Sequence, residues 1–196
     1  NTKVPLIADM SSDIFSRKFD YSKFDLFYAG AQKNMGPAGT TLVIIKEDIL
    51  GKVSRKIPSI LDYSSHVKSG SMFNTPPVFA VYASLLTMRW IEEQGGVESI
   101  GQKNIIKSEY LYNEIDRNSL FTGFAAKKDR SEMNATFNLV NKSHSESFDT
   151  ICESAGISGL KGHRSVGGYR ASIYNALPKE SVDILVDCMQ NLEQKI

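Results

Sequence analysis

Short apolar runs alternate with polar, turn-rich segments along the first part of the chain. The runs at residues 4–8, 26–29 and 41–45 predict three strands. Because these runs lack regular polar positions, they are typical of strands covered on both faces in a parallel sheet. The segment 30–39 contains three glycines and one proline, which predicts a loop with special backbone geometry. The segment 56–77 has no hydrophobic period, and we interpret it as an extended loop.

Two long helices are predicted after this loop. Pro77 suits the first turn of a helix, and apolar residues then recur at a helical period. These residues are Val78, Tyr82, Leu85, Leu86 and Trp90. Gly95 and Gly96 interrupt the pattern, and a second helix is predicted over residues 97–115. Its apolar positions are Ile105, Ile106, Leu111 and Ile115.

The C-terminal part of the chain mixes helix and strand patterns. Residues 135–140 alternate between apolar and polar, which predicts a strand with one face open to solvent. A further strand is predicted over 170–174. One helix is predicted over 145–155, closed by Gly156, and another after Pro178. The apolar face of the last helix consists of Val182, Leu185, Val186, Met189 and Leu192.

Composition and charge exclude several classes of protein. The chain has 23 Lys+Arg against 22 Asp+Glu, a net charge of +1, which offers no footprint for nucleic acid or an anionic membrane. The apolar runs are far shorter than the roughly 20 residues of a membrane-spanning helix. Two cysteines, Cys152 and Cys188, are too few for a disulfide framework or a zinc site, which favours a reducing cytoplasm. His66 and His144 stand alone in polar segments, so we expect no metal site.

Two charged residues stand at the ends of predicted strands. Asp9 follows the first strand, where it could meet a ligand, cap a helix or lie in a turn. Lys33, in the glycine-rich loop, could bind phosphate, face solvent or form a Schiff base with a carbonyl group. Taken singly, the turn and solvent roles are favoured. Taken together, the two residues are the lysine and acid that a pyridoxal phosphate enzyme requires, and their spacing allows strand, crossover and strand.

A third cluster is basic and lies at residues 161–170. It contains Lys161, His163, Arg164 and Arg170 around a pair of adjacent glycines. Guanidinium groups match the oxygens of carboxylate and phosphate. Exposed arginines are usually ordinary surface residues, but the glycine pair predicts tight turns beside these. The cluster therefore indicates a site for a small anionic substrate.

Four segments of the chain resemble one family closely. They are ADMSSD at 8–13, YAGAQKNMGPAG at 28–39, GSMFNTPP at 70–77 and KGHRSVGGYRASIYNA at 161–176. In sequence and order they resemble the phosphoserine aminotransferase family, within the class V pyridoxal-phosphate-dependent aminotransferases. The resemblance implies an α/β, fold-type-I transferase. Residues 1–92 would be the C-terminal part of a large domain with a mainly parallel sheet, and residues 93–196 a small α+β domain.

The resemblance also implies roles for the residues that bind the cofactor, pyridoxal 5′-phosphate. By motif position, Lys33 is similar to the Schiff-base lysine and Asp9 to the partner of the pyridinium nitrogen. Gln32 resembles a ligand of the cofactor phosphate. Asn74 and Thr75 resemble the pair that reaches the cofactor phosphate of the neighbouring subunit, so the resemblance implies a homodimer.

For the substrate, the resemblance implies that Arg170 binds the α-carboxylate, with His163 and Arg164 near the phosphate. The implied reaction moves an amino group between L-glutamate and 3-phosphohydroxypyruvate, giving O-phospho-L-serine and 2-oxoglutarate. The analogous phosphorylated keto acid on the pyridoxine route is a second implied substrate. The family also has a preceding segment that the chain lacks. Because the chain starts without Met almost directly in a predicted strand, we expect it to begin inside a longer protein, and to be inactive alone.

Two alternatives remain open at this point. The first is another class V enzyme, such as a transaminase for an unphosphorylated keto acid. A desulfurase would need a reactive cysteine on a mobile loop, whereas Cys152 and Cys188 fall in predicted helices. The second is a non-catalytic scaffold that kept the fold. The joint presence of Asp9 and Lys33 argues against the scaffold.

Overall fold

The computed structural model describes residues 4–162 and 167–196. The chain divides into two compact units, unit 1 over residues 1–97 and unit 2 over residues 98–196. In the described residues, no helix combines the length and apolar character needed to cross a membrane.

Unit 1 is built on a three-stranded sheet with the order β1–β2–β3. Strand β1 (Ile7–Asp9) runs parallel to β2 (Leu26–Gly30), and Asp9 lies opposite Tyr28. Strand β3 (Thr41–Ile45) pairs antiparallel with β2, so the prediction of a parallel strand there is wrong. The physical reason is the glycine-rich loop, which reverses the chain and is closed by a 2.9 Å hydrogen bond from Ala31 N–H to the Thr40 carbonyl.

Burial in unit 1 differs from the expectation of strands covered on both faces. Ile7 is 59% exposed, because the described residues leave its face of β1 uncovered, and β1 is an edge strand of the described sheet. The sequence pattern shows that a strand is apolar, but whether its two faces are buried depends on the residues that pack on them. The buried apolar cluster of the sheet consists of Met10, Ile14, Phe27 and Ala29.

Two helices follow the sheet in unit 1. Helix α1 (Tyr63–Lys68) is capped by Asp62, whose carboxylate accepts a 2.9 Å hydrogen bond from Ser64 N–H. The prediction that 56–77 is entirely loop is therefore wrong in this part. Helix α2 (Val78–Glu93) begins directly after Pro77, as predicted. Its buried residues are Ala80, Ser84 and Ile91, whereas most of the predicted apolar positions are exposed.

Unit 2 contains most of helix α3, a second three-stranded sheet and two further helices. The sheet is antiparallel throughout, in the order β4–β5–β6. The elements are α3 (Gly96–Arg117), β4 (Phe121–Gly123), β5 (Asn134–Leu139), α4 (Ser145–Ser154), β6 (Tyr169–Ser172) and α5 (Lys179–Lys195). Strand β4 was not predicted from the sequence, because a three-residue strand has too few positions to show a period.

The core of unit 2 lies between one face of this sheet and its helices. Strand β5 alternates buried and half-buried residues, and the predicted apolar face of α5 is buried. In α3, Leu111 and Ile115 are buried as expected, but Ile105 and Ile106 are exposed. Four aromatic rings form the centre of the core, with neighbouring centroids 5.0–6.4 Å apart: Phe121, Phe137, Phe148 and Tyr169.

Candidate active site

Asp9 ends strand β1 and is held there by the residue two positions later. Its Oδ1 accepts a 2.9 Å hydrogen bond from Ser11 N–H and a 2.6 Å bond from Ser11 Oγ. Ser11 Oγ also accepts a 3.0 Å bond from Gly30 N–H, at the end of β2. Ser11 therefore joins the ends of the two parallel strands and fixes the carboxylate between them. No role was predicted for Ser11, although Asp-x-Ser is a recognisable Asx-turn pattern.

The environment of Asp9 keeps it ionised. The hydrogen bonds from Ser11 are the largest cause that lowers the pKa of the carboxyl group, and Tyr28 and Lys33 lower it further. The negative charge of Asp9 in turn raises the pKa of the Tyr28 phenol. The site thus presents a stable negative charge at the carboxyl end of β1, with a cationic amine nearby.

Gln32 and Lys33 lie in the loop that follows β2, and both are exposed. The loop is closed on itself, because Met35 N–H and Gly36 N–H both donate to the Ala31 carbonyl, at 3.0 and 2.8 Å. Within residues 4–162 and 167–196, the Lys33 amine makes no ion pair or hydrogen bond, and it is therefore available to a ligand.

Asn34 is a buried residue of this loop that sequence reasoning missed. Its Nδ2 donates to the carbonyls of Ser12 and Ile14, at 3.1 and 3.2 Å. The amide thereby ties the loop carrying Lys33 to the loop that follows Asp9. Gln32, Lys33 and Asn34 are all polar, so the sequence alone does not show that Asn34 is buried while its two neighbours are exposed.

Asn74 and Thr75 lie in the exposed segment that precedes α2. Asn74 Nδ2 donates to the Thr75 carbonyl at 3.3 Å, which is a contact between neighbours and holds no other element. Both residues belong to unit 1, which also contains Asp9, Gln32 and Lys33.

The described part of the basic cluster lies in unit 2. Arg170 occupies the solvent-facing side of β6, opposite Thr136 of β5, and among the described residues its guanidinium makes no ion pair. Lys161 pairs with Asp149 at 3.3 Å, and Asp149 also accepts a 3.0 Å hydrogen bond from Tyr169. His163 and Arg164, both predicted to bind substrate, lie outside the described residues.

The predicted tight turn beside Arg170 is present. Gly168 has a φ of +65°, and a Cβ there would lie 2.8 Å from the Phe137 carbonyl oxygen and collide with Asn138 Oδ1. Gly162 N–H donates to the Gly168 carbonyl at 2.8 Å, which brings the two ends of the basic segment together. Only glycine satisfies both the backbone conformation and the close approach.

The two cysteines are unsuited to nucleophilic chemistry. Both Cys152 and Cys188 are buried. Burial raises the pKa of the Cys152 thiol to about 12 and also raises that of Cys188. A thiol in this state is not a nucleophile at neutral pH.

These features place the chain in a class of proteins. A sequence profile of the class-V aminotransferases matches residues 1–185, and the chain belongs to that family. The predicted fold class, part of an α/β fold-type-I transferase, is confirmed.

Individual relatives narrow the comparison within the family. The phosphoserine aminotransferase of Flavobacterium psychrophilum is 65% identical over 193 residues, covering 98% of this chain and 54% of that protein. The solved phosphoserine aminotransferase from Bacillus circulans subsp. alkalophilus has a TM-score of 0.94 and 46% identity, covering 99% of this chain and 54% of its own. A solved pyridoxal-phosphate-bound phosphoserine aminotransferase from Trichomonas vaginalis has a TM-score of 0.90 and 39% identity, with 97% and 55% covered. The chain spans about half the length of the curated relatives it matches.

Proposed function

We propose that the protein containing this chain is a pyridoxal-phosphate-dependent phosphoserine aminotransferase. It moves an amino group between L-glutamate and 3-phosphohydroxypyruvate, giving O-phospho-L-serine and 2-oxoglutarate. The observation that carries the proposal is the parallel pairing of β1 and β2, with Asp9 at the end of one strand and the Lys33 loop after the other. High identity to phosphoserine aminotransferases over the whole chain supports the choice of substrate.

The donor set at this end of the sheet fits pyridoxal phosphate. An ionised carboxylate suits the protonated ring nitrogen, and a primary amine suits the aldehyde. The Gln32 amide can donate to a phosphate oxygen. Asp9 is held by Ser11 and Lys33 has no competing partner among the described residues, so neither group has to break an ion pair to meet the cofactor.

Each residue then has a distinct chemical task. When bound, pyridoxal phosphate supplies a conjugated ring that accepts the electron pair left when the substrate Cα loses its proton. The Asp9 carboxylate keeps a proton on the ring nitrogen. The Lys33 amine anchors the cofactor between turnovers and, once free, takes the proton from the substrate Cα as a general base.

Substrate recognition is assigned to the basic cluster. Arg170 binds the α-carboxylate through its guanidinium, which has no ion-pair partner among the described residues, and His163 and Arg164 bind the substrate phosphate. The same residues would bind the phosphorylated keto acid of the pyridoxine route.

The proposed enzyme is a cytoplasmic homodimer, in which Asn74 and Thr75 of one subunit reach the cofactor phosphate of the other. Residues 1–92 belong to its large, cofactor-binding domain, and residues 93–196 form its small domain. The exposure of Asn74 and Thr75 in unit 1 agrees with such a role.

Borohydride reduction of the cofactor-loaded full protein tests the assignment of Lys33. We expect a pyridoxyl mass on the peptide that contains Lys33, and its loss in Lys33→Ala. Lys23→Ala, which changes an exposed lysine before β2, is the matched control and should label normally. Labelling of another lysine would overturn the assignment of Lys33. The absence of any label in a folded protein would favour a non-catalytic scaffold.

Substrate competition tests the choice within the family. We expect Arg164→Ala to lower the rate for the phosphorylated keto acid by about 100-fold relative to an unphosphorylated one. An unchanged ratio of the two rates would favour a transaminase for unphosphorylated substrates.

A further inference from the structure

Lys107 is a buried lysine in the middle of α3, and its side chain is unusual in its partners. The residue is 3% exposed. Its Nζ donates to three backbone carbonyl oxygens, those of Ile173 at 3.2 Å, Tyr174 at 2.9 Å and Leu177 at 3.0 Å. Within residues 4–162 and 167–196 it makes no ion pair. The three protons of an ammonium group are therefore matched by three carbonyl oxygens.

The three carbonyls belong to one turn, residues 173–178, between β6 and α5. The turn has two more polar anchors. Asn104, one helical turn before Lys107, donates to Asn175 Oδ1 at 2.8 Å, and the Tyr174 hydroxyl donates to Asn134 Oδ1 at 3.2 Å. Helix α3 thus holds the end of β6 through two buried side chains. Residues 173–176 of this turn belong to the fourth family motif, but no role was predicted for them.

The position of this turn bears directly on Arg170. Strand β6 has only four residues, and Arg170 is its second. The strand pairs with β5 on one side, and the Ile173 N–H just beyond its end donates to the Met133 carbonyl at 2.9 Å. Because the Ile173 carbonyl is held by Lys107, the ammonium sets where the strand ends relative to α3.

The charge on Lys107 persists at neutral pH. Burial lowers the pKa of its ammonium group to about 8. At pH 7 the amine therefore keeps the third proton that the third carbonyl requires. Loss of the side chain would leave one buried and two partly buried carbonyl groups without this donor, which is costly enough to make the turn rearrange.

We propose that Lys107 is a positioning residue for the substrate-carboxylate site, acting as an internal cation that holds the 173–178 turn and, through it, the strand that presents Arg170. The proposal rests on the proposed role of Arg170 in carboxylate binding. Lys107 itself is too deeply buried to touch the substrate.

The test compares Lys107→Met with Lys103→Met in the cofactor-loaded full protein. Methionine keeps the length of the side chain and removes its donors, and Lys103 is an exposed lysine one turn earlier on the same helix. The binding of glutarate, a dicarboxylate without an amino group, is measured by calorimetry, and folding by circular dichroism. We expect Lys107→Met to weaken glutarate binding about tenfold and Lys103→Met to leave it unchanged. In turnover, KM for L-glutamate should rise while kcat changes by less than about threefold.

Several outcomes would overturn the proposal. A folded Lys107→Met protein with wild-type glutarate affinity would show that Lys107 serves stability alone. If Lys107→Met does not fold, Lys107→Gln decides, because glutamine keeps a polar donor at this position but removes the positive charge and one of the three donor hydrogens. A folded Lys107→Gln protein should bind glutarate more weakly than wild type, and unchanged affinity would refute the inference. If wild-type protein and Arg170→Ala bind glutarate alike, the proposed role of Arg170 fails instead.

Discussion

The two units of the chain bury their apolar residues to very different degrees. In unit 2, three strands and three helices contribute to one continuous core, centred on Phe121, Phe137 and Phe148. In unit 1, the corresponding cluster beside the sheet is small, and helix α2 leaves Phe79 77% exposed. Yet unit 1 carries Asp9 and Lys33, the residues for which the most demanding chemistry is proposed. Stability and the candidate chemistry are therefore concentrated in different parts of this chain.

The contrast follows from how each sheet is covered. The sheet of unit 2 has helices α3, α4 and α5 to cover one face, and its other face is polar. Ile7 of β1 and most of the apolar residues of α2 have no such cover among the described residues. Large apolar side chains exposed in such number are typical of surfaces on which further protein packs. This agrees with a chain that spans about half the length of its relatives.

Separating the units should produce the largest effect. We expect a fragment of residues 96–196 to unfold cooperatively in urea, because its core is self-contained. A fragment of residues 1–95 should show no cooperative transition, since its four-residue cluster Met10, Ile14, Phe27 and Ala29 cannot offset the loss of chain entropy. Circular dichroism against urea concentration measures both. A sharp transition in the 1–95 fragment would break the comparison.

Truncation of one aromatic residue in each unit should sharpen the comparison between the units. Phe148 is fully buried, with ring centroids 5.1 Å from Phe121 and 5.0 Å from Tyr169. Phe148→Ala should lower the free energy of unfolding by about 3–5 kcal/mol. Phe79→Ala should change it by less than about 0.5 kcal/mol in the 196-residue chain. A loss of several kcal/mol from Phe79→Ala would mean that α2 is covered in solution.

Glycine substitutions provide a second matched pair with a smaller effect. Gly168→Ala adds a Cβ against Asn138 and the Phe137 carbonyl at a φ of +65°, and should cost about 2–4 kcal/mol. Gly70→Ala has a similar φ of +54° but meets no atom within 4 Å, so only the backbone cost of about 1 kcal/mol remains. Thermal denaturation of both variants measures the difference. Equal losses would show that packing around Gly168 is looser than described.

Removing one ion pair from each unit should give the smallest difference in the free energy of unfolding. Arg130 donates to both oxygens of Asp116, at 3.0 and 2.6 Å, and stacks on Tyr112 with its guanidinium carbon 4.6 Å from the ring centre. We expect Arg130→Met to lower the free energy of unfolding by about 1–2 kcal/mol at pH 7, because solvent partly screens this ion pair. Lys46→Met, which removes the exposed pair with Asp25 in unit 1, should cost less than about 1 kcal/mol.

The pH dependence of the Arg130 variant provides an independent check. The hydrogen bonds from Arg130 lower the pKa of Asp116 to about 2, from its ordinary value of 3.8. Because the folded-state pKa is the lower one, this stabilisation is present above pH 3.8 and is lost as the pH falls towards 2. The difference between wild type and Arg130→Met should shrink over that interval in urea titrations. A constant difference would show that the loss comes from packing on Tyr112.

Local patterns predicted most of the elements but few of the contacts. The helix after Pro77, the alternation of β5 and the apolar face of α5 are properties of short windows, and the structure contains all three. The direction of β3 and the short helix α1 were missed, because both depend on a turn or cap rather than on a period. In the site, the motifs identified Asp9, Gln32, Lys33, Asn74 and Thr75 as candidates. They did not identify Ser11 or Asn34, whose importance lies in bonds to residues about twenty positions away.

The sequence by itself determined the strand and helix periods, the family motifs and the pairing of an acid with a lysine after successive strands. Those features depend on residue identity and short spacing, which a linear chain displays directly. Only the tertiary structure decided that β3 is antiparallel, that Ser11 joins the ends of β1 and β2, and that the Lys107 amine meets three carbonyls of a turn nearly seventy residues away. Burial and hydrogen-bond geometry arise from residues brought together by folding, so no local pattern contains them.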